Sequence, residues 1–214
     1  MKTNIDLKKL APCESGYKFA ASKNSLIEAW NTCERGDWLL WFAQKLGCPL
    51  QLLTLAKGRC AETVISLMCD KRSRKAVEVA IDFGNGNASR IELYAAACAA
   101  YDAAANAASY ASDYAAAEYA AKAAFYAASD YEADAAAKAA AYATNCAYDV
   151  NYADEYAAKA AFYAASDYAA DEAANAAACA DAADAAADAA RKENQQQTAN
   201  ICREILTDFI KSKL

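Results

Sequence analysis

The sequence predicts an all-α fold: a multi-helix bundle whose middle stacks alanine-rich helical hairpins in a solenoid-like array. Three observations predict it. All six glycines and both prolines lie at or before Gly86, so the 128 residues that follow hold neither of the usual helix breakers. No stretch shows the apolar–polar alternation of a strand. The segment EYAAKAAFYAASDY occurs twice, letter for letter, at residues 118–131 and 155–168, a 37-residue shift that marks a repeated structural unit.

The first section, residues 1–92, reads as short helices with visible punctuation. Ser25-Leu26-Ile27-Glu28 has the spacing of a capping box and opens a helix through Trp30. Asp37 is expected to cap DWLLWFAQKL, and Gly47 to stop it. Pro49 starts a helix that runs through LAKGRCAETVISLM to Met68, with Gly58 as a weak point inside it. A shorter helix is expected from about Ser73 to Phe83, ending at the turn Gly84-Asn85-Gly86-Asn87. Ser89-Arg90-Ile91-Glu92 is then a second capping box. This section also holds most of the conventional core formers, among them Trp30, Trp38, Leu39, Leu40, Trp41, Phe42 and Leu53.

The second section, residues 93–190, must be cut into helices without glycine or proline. A continuous helix advances 100° per residue, so a 37-residue shift would turn the second copy of the repeat by about 100° from the first. The two copies could then share no face. Folded instead as two helices of about 15 residues plus turns, each unit presents the repeat equivalently in a stack. The tripeptide SDY at 112–114, 129–131 and 166–168 offers N-caps for such corners, and residues 144–154 offer another. Within the repeat, Glu118 with Lys122 and Glu155 with Lys159 are favourable i, i+4 pairs. Tyr119 with Tyr126, and Tyr156 with Tyr163, lie seven apart on one face, where rings can fill what alanine leaves open. The last section, residues 191–214, reads as a closing helix. Its Ile201, Ile205, Leu206 and Phe209 face the tryptophan-rich section. The whole chain is expected to form one all-helical domain.

Charge is distributed unevenly. Residues 1–92 carry +4, residues 93–190 carry −12 and residues 191–214 carry +2. An acidic middle of this kind repels DNA and RNA and attracts basic partners. The nine cysteines are scattered, odd in number and never in C-x-x-C, which fits reduced thiols rather than a disulfide frame. With no histidine and no close-spaced ligand pairs, neither a metal nor another cofactor is expected. No signal peptide or membrane span is read, so the expectation is a cytoplasmic protein of a bacterial cell. The absence of histidine, of G-x-S-x-G, and of a phosphate-cradling glycine loop leaves no residues to nominate as catalytic.

Three candidate binding features stand out. Asp181, Asp184 and Asp188 fall within about 60° on a helix and form an acidic stripe, suited to docking a basic protein. Lys71, Arg72, Arg74 and Lys75, with Lys57 and Arg59 before them and Arg90 after, make a basic cluster at a connection and helix start, where an anion such as a small nucleotide could be held. Tyr119, Tyr126, Tyr156 and Tyr163 could stack a planar ligand or simply pack. Solvated faces and packing seams are the plain alternatives for all three.

The stretches GDWLLWFAQKLG (36–47), LTLAKGRCAETVISLM (53–68) with VEVAIDFGNGNASRIEL after it, ARKENQQQTANICREIL (190–206) and CESGYKFA (13–20) resemble the immunity proteins of the Imm5-like group. These are helical, alanine-rich proteins of bacteria and their phages. The resemblance implies an accessory protein of a polymorphic toxin system that binds and neutralises a basic toxin domain in the producing cell. It assigns no functional residues. Two other expectations stay open: a phage anti-defence protein that sequesters a nucleotide immune signal, and a structural module whose alanine–tyrosine seam pairs subunits.

Overall fold

The computed structural model describes residues 5–68, 70–109, 122, 127–128 and 169–214; within these, side chains are described except at 67, 101, 104–109 and 169–187. The tyrosine stripe, the SDY corners, the 144–154 corner and nearly all of both repeat copies lie outside the described residues. Among the described residues there are seven α-helices, two short 3-10 turns and no strand.

The local signals of the first section explain most of its helices. The 3-10 turn Leu7–Leu10 is capped by the Asp6 carboxylate, which accepts from the Lys8 N–H at 3.1 Å. Helix α1, Glu14–Ala21, is one the sequence did not announce. Its N-cap is Cys13, whose Sγ accepts from the Gly16 N–H at 3.4 Å in the role usually played by a hydroxyl. Helix α2, Leu26–Thr32, starts as expected, with Ser25 Oγ accepting from the Glu28 N–H at 3.1 Å. The return bond is shifted by one residue: the Glu28 carboxylate takes the N–H of Asn24 (3.0 Å) and its side-chain amide (2.8 Å).

Helix α3, Gly36–Lys45, begins before the expected cap. Asp37 sits inside its first turn, and its carboxylate is taken by Arg35, so it caps nothing. The helix stops at Gly47 as expected. There φ is +74°, and the N–H groups of Gly47 and Cys48 return to the carbonyls of Gln44 (3.0 Å) and Ala43 (3.1 Å), closing a Schellman turn.

Helix α4, Leu50–Glu62, ends six residues short of Met68. The β-branched run Thr63-Val64-Ile65 is the reason. The Thr63 hydroxyl donates to the Cys60 carbonyl at 2.7 Å, and the backbone tightens to i−3 bonds before the 3-10 turn Ile65–Leu67. Helix α5, Lys71–Gly84, starts two residues before the expected Ser73. Asp70 is the cap, accepting from the Arg72 N–H at 2.8 Å, whereas Ser73 is fully buried. A second Schellman turn closes α5 at Gly86, where φ is +80°. Helix α6, Arg90–Ser109, opens on a reciprocal capping box: Ser89 Oγ accepts from Glu92 N (3.2 Å), and Glu92 accepts from Ser89 N (2.7 Å). Helix α7, Ala169–Lys213, runs 45 residues, so the closing helix is continuous with the acidic segment before it.

Two apolar clusters share α4. One joins Leu39, Leu40, Phe42 and Ala43 of α3, Leu53, Ala56 and Cys60 of α4, and Ala199, Cys202, Leu206 and Ile210 of α7, with Trp30 from α2. The other joins Val77, Ala80 and Phe83 of α5 and Leu93, Ala97 and Ala100 of α6 to Ala61, Val64 and Met68. Ala127 and Ala128, from the first copy of the repeat, are buried against this second cluster. Because α4 is covered on both sides, even its Thr54, Lys57 and Gly58 are buried. As expected, the closing helix docks on the tryptophan-rich section. The buried line on it, however, runs through Ala199, Cys202, Leu206 and Ile210, with Ile201, Ile205 and Phe209 at its margin. Polar bonds fix the dock: Trp30 Nε1 donates to Thr207 Oγ1 (3.0 Å), Asn194 to Thr63 Oγ1 (3.0 Å) and Arg203 to the Cys33 carbonyl (2.5 Å).

Candidate functional site

The acidic stripe lies on α7, just before the part of that helix that is locked into the core. Asp181, Asp184 and Asp188 occupy successive turns of it. The Asp188 side chain is exposed and lies 3.7 Å from Arg191, a long surface pair that leaves its negative charge largely presented to solvent. From Asn194 onward the same helix is held by Thr198, Ala199, Cys202, Leu206 and Ile210. The acidic segment is thus continuous with an anchored stretch of the same helix.

The basic cluster is placed differently from what its sequence density suggests. Lys57 is buried on α4, and Arg59 pairs with Glu62 at 2.8 Å, so neither extends a basic surface. Lys71, Arg72, Arg74 and Lys75 fill the first turns of α5, where the helix dipole disfavours cations. Arg72 is clamped to the Asp70 carboxylate (Nη2 to Oδ2 2.7 Å), Arg74 Nε donates to the Met68 carbonyl (2.6 Å), and Lys75 lies 3.3 Å from Glu78. The Arg72 guanidinium holds the Asp70 carboxyl below the usual carboxylate range. Arg90 opens α6. Arg72 and Lys75 therefore spend their charge on neighbouring acids, Arg74 is tied to a carbonyl, and Lys71 is exposed.

A third site was not foreseen. Helices α1, α2 and α3 line a half-open cavity of about 370 Å³; its apolar lining includes Phe19, Leu26, Trp30, Trp38, Trp41 and Phe42, and Arg35, Asp37, Cys13 and Cys33 also line it. Arg35 and Asp37 form a two-pronged pair, Nε to Oδ1 at 2.8 Å and Nη2 to Oδ2 at 2.5 Å. The bond to Asp37 pushes the Arg35 guanidinium above its ordinary value. The Arg35 guanidinium also lies over the Trp38 ring, 4.8 Å from its centroid, and Phe19 packs tilted against that ring with centroids 5.9 Å apart. The available signal was the aromatic density of RGDWLLWF beside an arginine two residues from an aspartate. Reading Trp38 and Trp41 as core formers concealed it.

Among the described residues the cysteines are free, and no group of His, Cys, Asp or Glu is arranged to hold a metal ion. Cys60 and Cys202 face each other inside the core with their sulfurs 3.9 Å apart. Burial pushes the Cys202 thiol well up, and pushes Cys48 up to about 12 and Cys33 upward as well. Among the described residues no helix is long and apolar enough to cross a membrane. Set beside known proteins, the chain matches no family model, no curated protein and no solved structure.

Proposed function

We propose that the chain is a non-enzymatic binding protein of the immunity type, which neutralises a basic toxin domain by steric and electrostatic occlusion in the cytoplasm of a bacterial cell. The observation that carries this reading is the construction of α7. Its C-terminal part is fixed by buried Thr198, Cys202, Leu206 and Ile210, while the turns before it carry Asp181, Asp184 and the exposed Asp188. Acidic residues carried on an anchored helix speed encounter with a cationic partner and set its register. The family resemblance of the first and last segments points the same way. A small anionic nucleotide at Lys71, Arg72, Arg74, Lys75 and Arg90 draws less support, because Arg72 and Arg74 are already engaged by Asp70 and by the Met68 carbonyl.

The test is to mix the purified protein with a panel of cationic toxin domains at low and at moderate salt. Complex formation that weakens as ionic strength rises is expected. Binding indifferent to salt, or absent from the whole panel, overturns the reading.

A further inference from the structure

We infer that the cavity between α1, α2 and α3 is a binding site for an uncharged, predominantly aromatic small molecule carrying one hydrogen-bond acceptor. Its size permits this: about 370 Å³ lies within the range of small-molecule sites and well above the ~150 Å³ that admits a benzene-sized guest. Its walls specify the shape and polarity of the guest. Phe19, Trp30, Trp38, Trp41 and Phe42 line it from three helices, so an apolar aromatic body gains contact on more than one side.

The polar groups specify the charge. Arg35 and Asp37 satisfy each other through two short bonds, with the Asp37 side chain 15% and the Arg35 side chain 39% exposed. As a unit the pair is neutral. No other charged side chain lines the cavity, so a charged guest would give up hydration without a lining counter-ion to replace it. The donor side is free. Trp30 spends its indole N–H on Thr207. Trp38 and Trp41 also line the cavity, and their indole N–H groups make no hydrogen bond to any described residue, so an acceptor on a guest placed against them has a donor to find.

Calorimetric titration with 2-naphthol and with 2-naphthoate, which share a ring system and differ in charge at neutral pH, tests the inference on the full chain. Saturable binding of 2-naphthol is expected, at least tenfold tighter than that of 2-naphthoate. Ala20 lines the cavity from α1, so Ala20→Phe should abolish binding while helicity and melting stay unchanged. Asp37→Asn leaves the Arg35 charge unanswered and should reverse the preference toward 2-naphthoate. If Ala20→Phe fails to fold, the wild-type chain decides instead. Cys13 lines the same cavity and is exposed, so saturating 2-naphthol should slow its alkylation by iodoacetamide several-fold. No saturable binding of 2-naphthol, equal affinity for the two probes, binding that survives in a folded Ala20→Phe protein, or an unprotected Cys13 overturns the inference.

Discussion

Single residues set how closely the helices approach. A Cβ on Gly36 would lie 2.5 Å from Thr198 Oγ1 and 2.8 Å from the Thr198 carbonyl carbon; on Gly84 it would lie 2.7 Å from Leu55 Cα. In both cases backbone atoms are involved, so no rotamer change relieves the clash. Exchanging Gly for Ala in a helix gains up to about 1 kcal/mol in propensity, whereas overpacking costs about 1–3 kcal/mol. The clash should win. Gly36→Ala and Gly84→Ala are each expected to lower the urea midpoint, although a helix-propensity argument alone predicts the reverse. The thiols give a second residue-scale prediction. Cys13 and Cys98 are exposed, whereas Cys33, Cys60 and Cys202 are buried, and burial raises the pKa of Cys33 and Cys202. Alkylation followed by peptide mass spectrometry should label Cys13 and Cys98 under native conditions. It should label Cys33, Cys60 and Cys202 only in denaturant.

At the scale of elements, α7 and α5 are held by different forces. Leu206 and Ile210 are fully buried between α7 and its neighbours, so Leu206→Ala should cost about 2–5 kcal/mol of unfolding free energy, measurable by urea denaturation. The start of α5 is electrostatic. Arg72 depresses the Asp70 carboxyl in the folded state, so the contribution of this pair is present above the unfolded carboxylate pKa and is lost as pH falls through the depressed folded value. Asp70→Asn keeps a capping oxygen but removes the charge. It should lower stability modestly at neutral pH and flatten the loss from about pH 4 downward, so that variant and wild type converge in acid. The elements legible in the sequence were those with local signals of their own. Ser25, Gly47, Pro49 and Gly86 each stand at the helix boundary they predicted. The boundaries that moved were decided by pairings that spacing does not encode. Asp37 turned to Arg35, Asp70 rather than Ser73 capped α5, and a cysteine thiol capped α1. The buried line on α7 shifted to Cys202 because the glycine-smooth start of α3 and the face of α4 lie there.

For the molecule as a whole, charge and cavity are read from different depths of the sequence. The cavity was hidden because its walls are the tryptophans that any core would use; only the packing of three short helices shows that Trp38 and Trp41 face a space. The acidic character of residues 93–190, at −12, needed no fold to be seen. It also carries a cost that helps to decide what it is for. Asp181 with Asp184 and Asp184 with Asp188 are like charges at i, i+3 and i, i+4 on α7, each disfavouring the helix by about 0.2–0.5 kcal/mol. A stripe that served only to keep an alanine-rich helix solvated could mix both signs and avoid that penalty. The triple substitution Asp181→Asn, Asp184→Asn, Asp188→Asn separates the two roles. Thermal unfolding should stay the same or rise slightly, because repulsion is relieved and the anchored half of α7 is untouched. The association rate with a cationic partner should fall several-fold at low ionic strength. The variant and wild-type rates should converge above about 0.5 M salt, where the screening length drops toward the size of a single ion pair. Stopped-flow association at three salt concentrations reads all of this, and equal rates for the two proteins at low salt would assign the stripe to solvation alone.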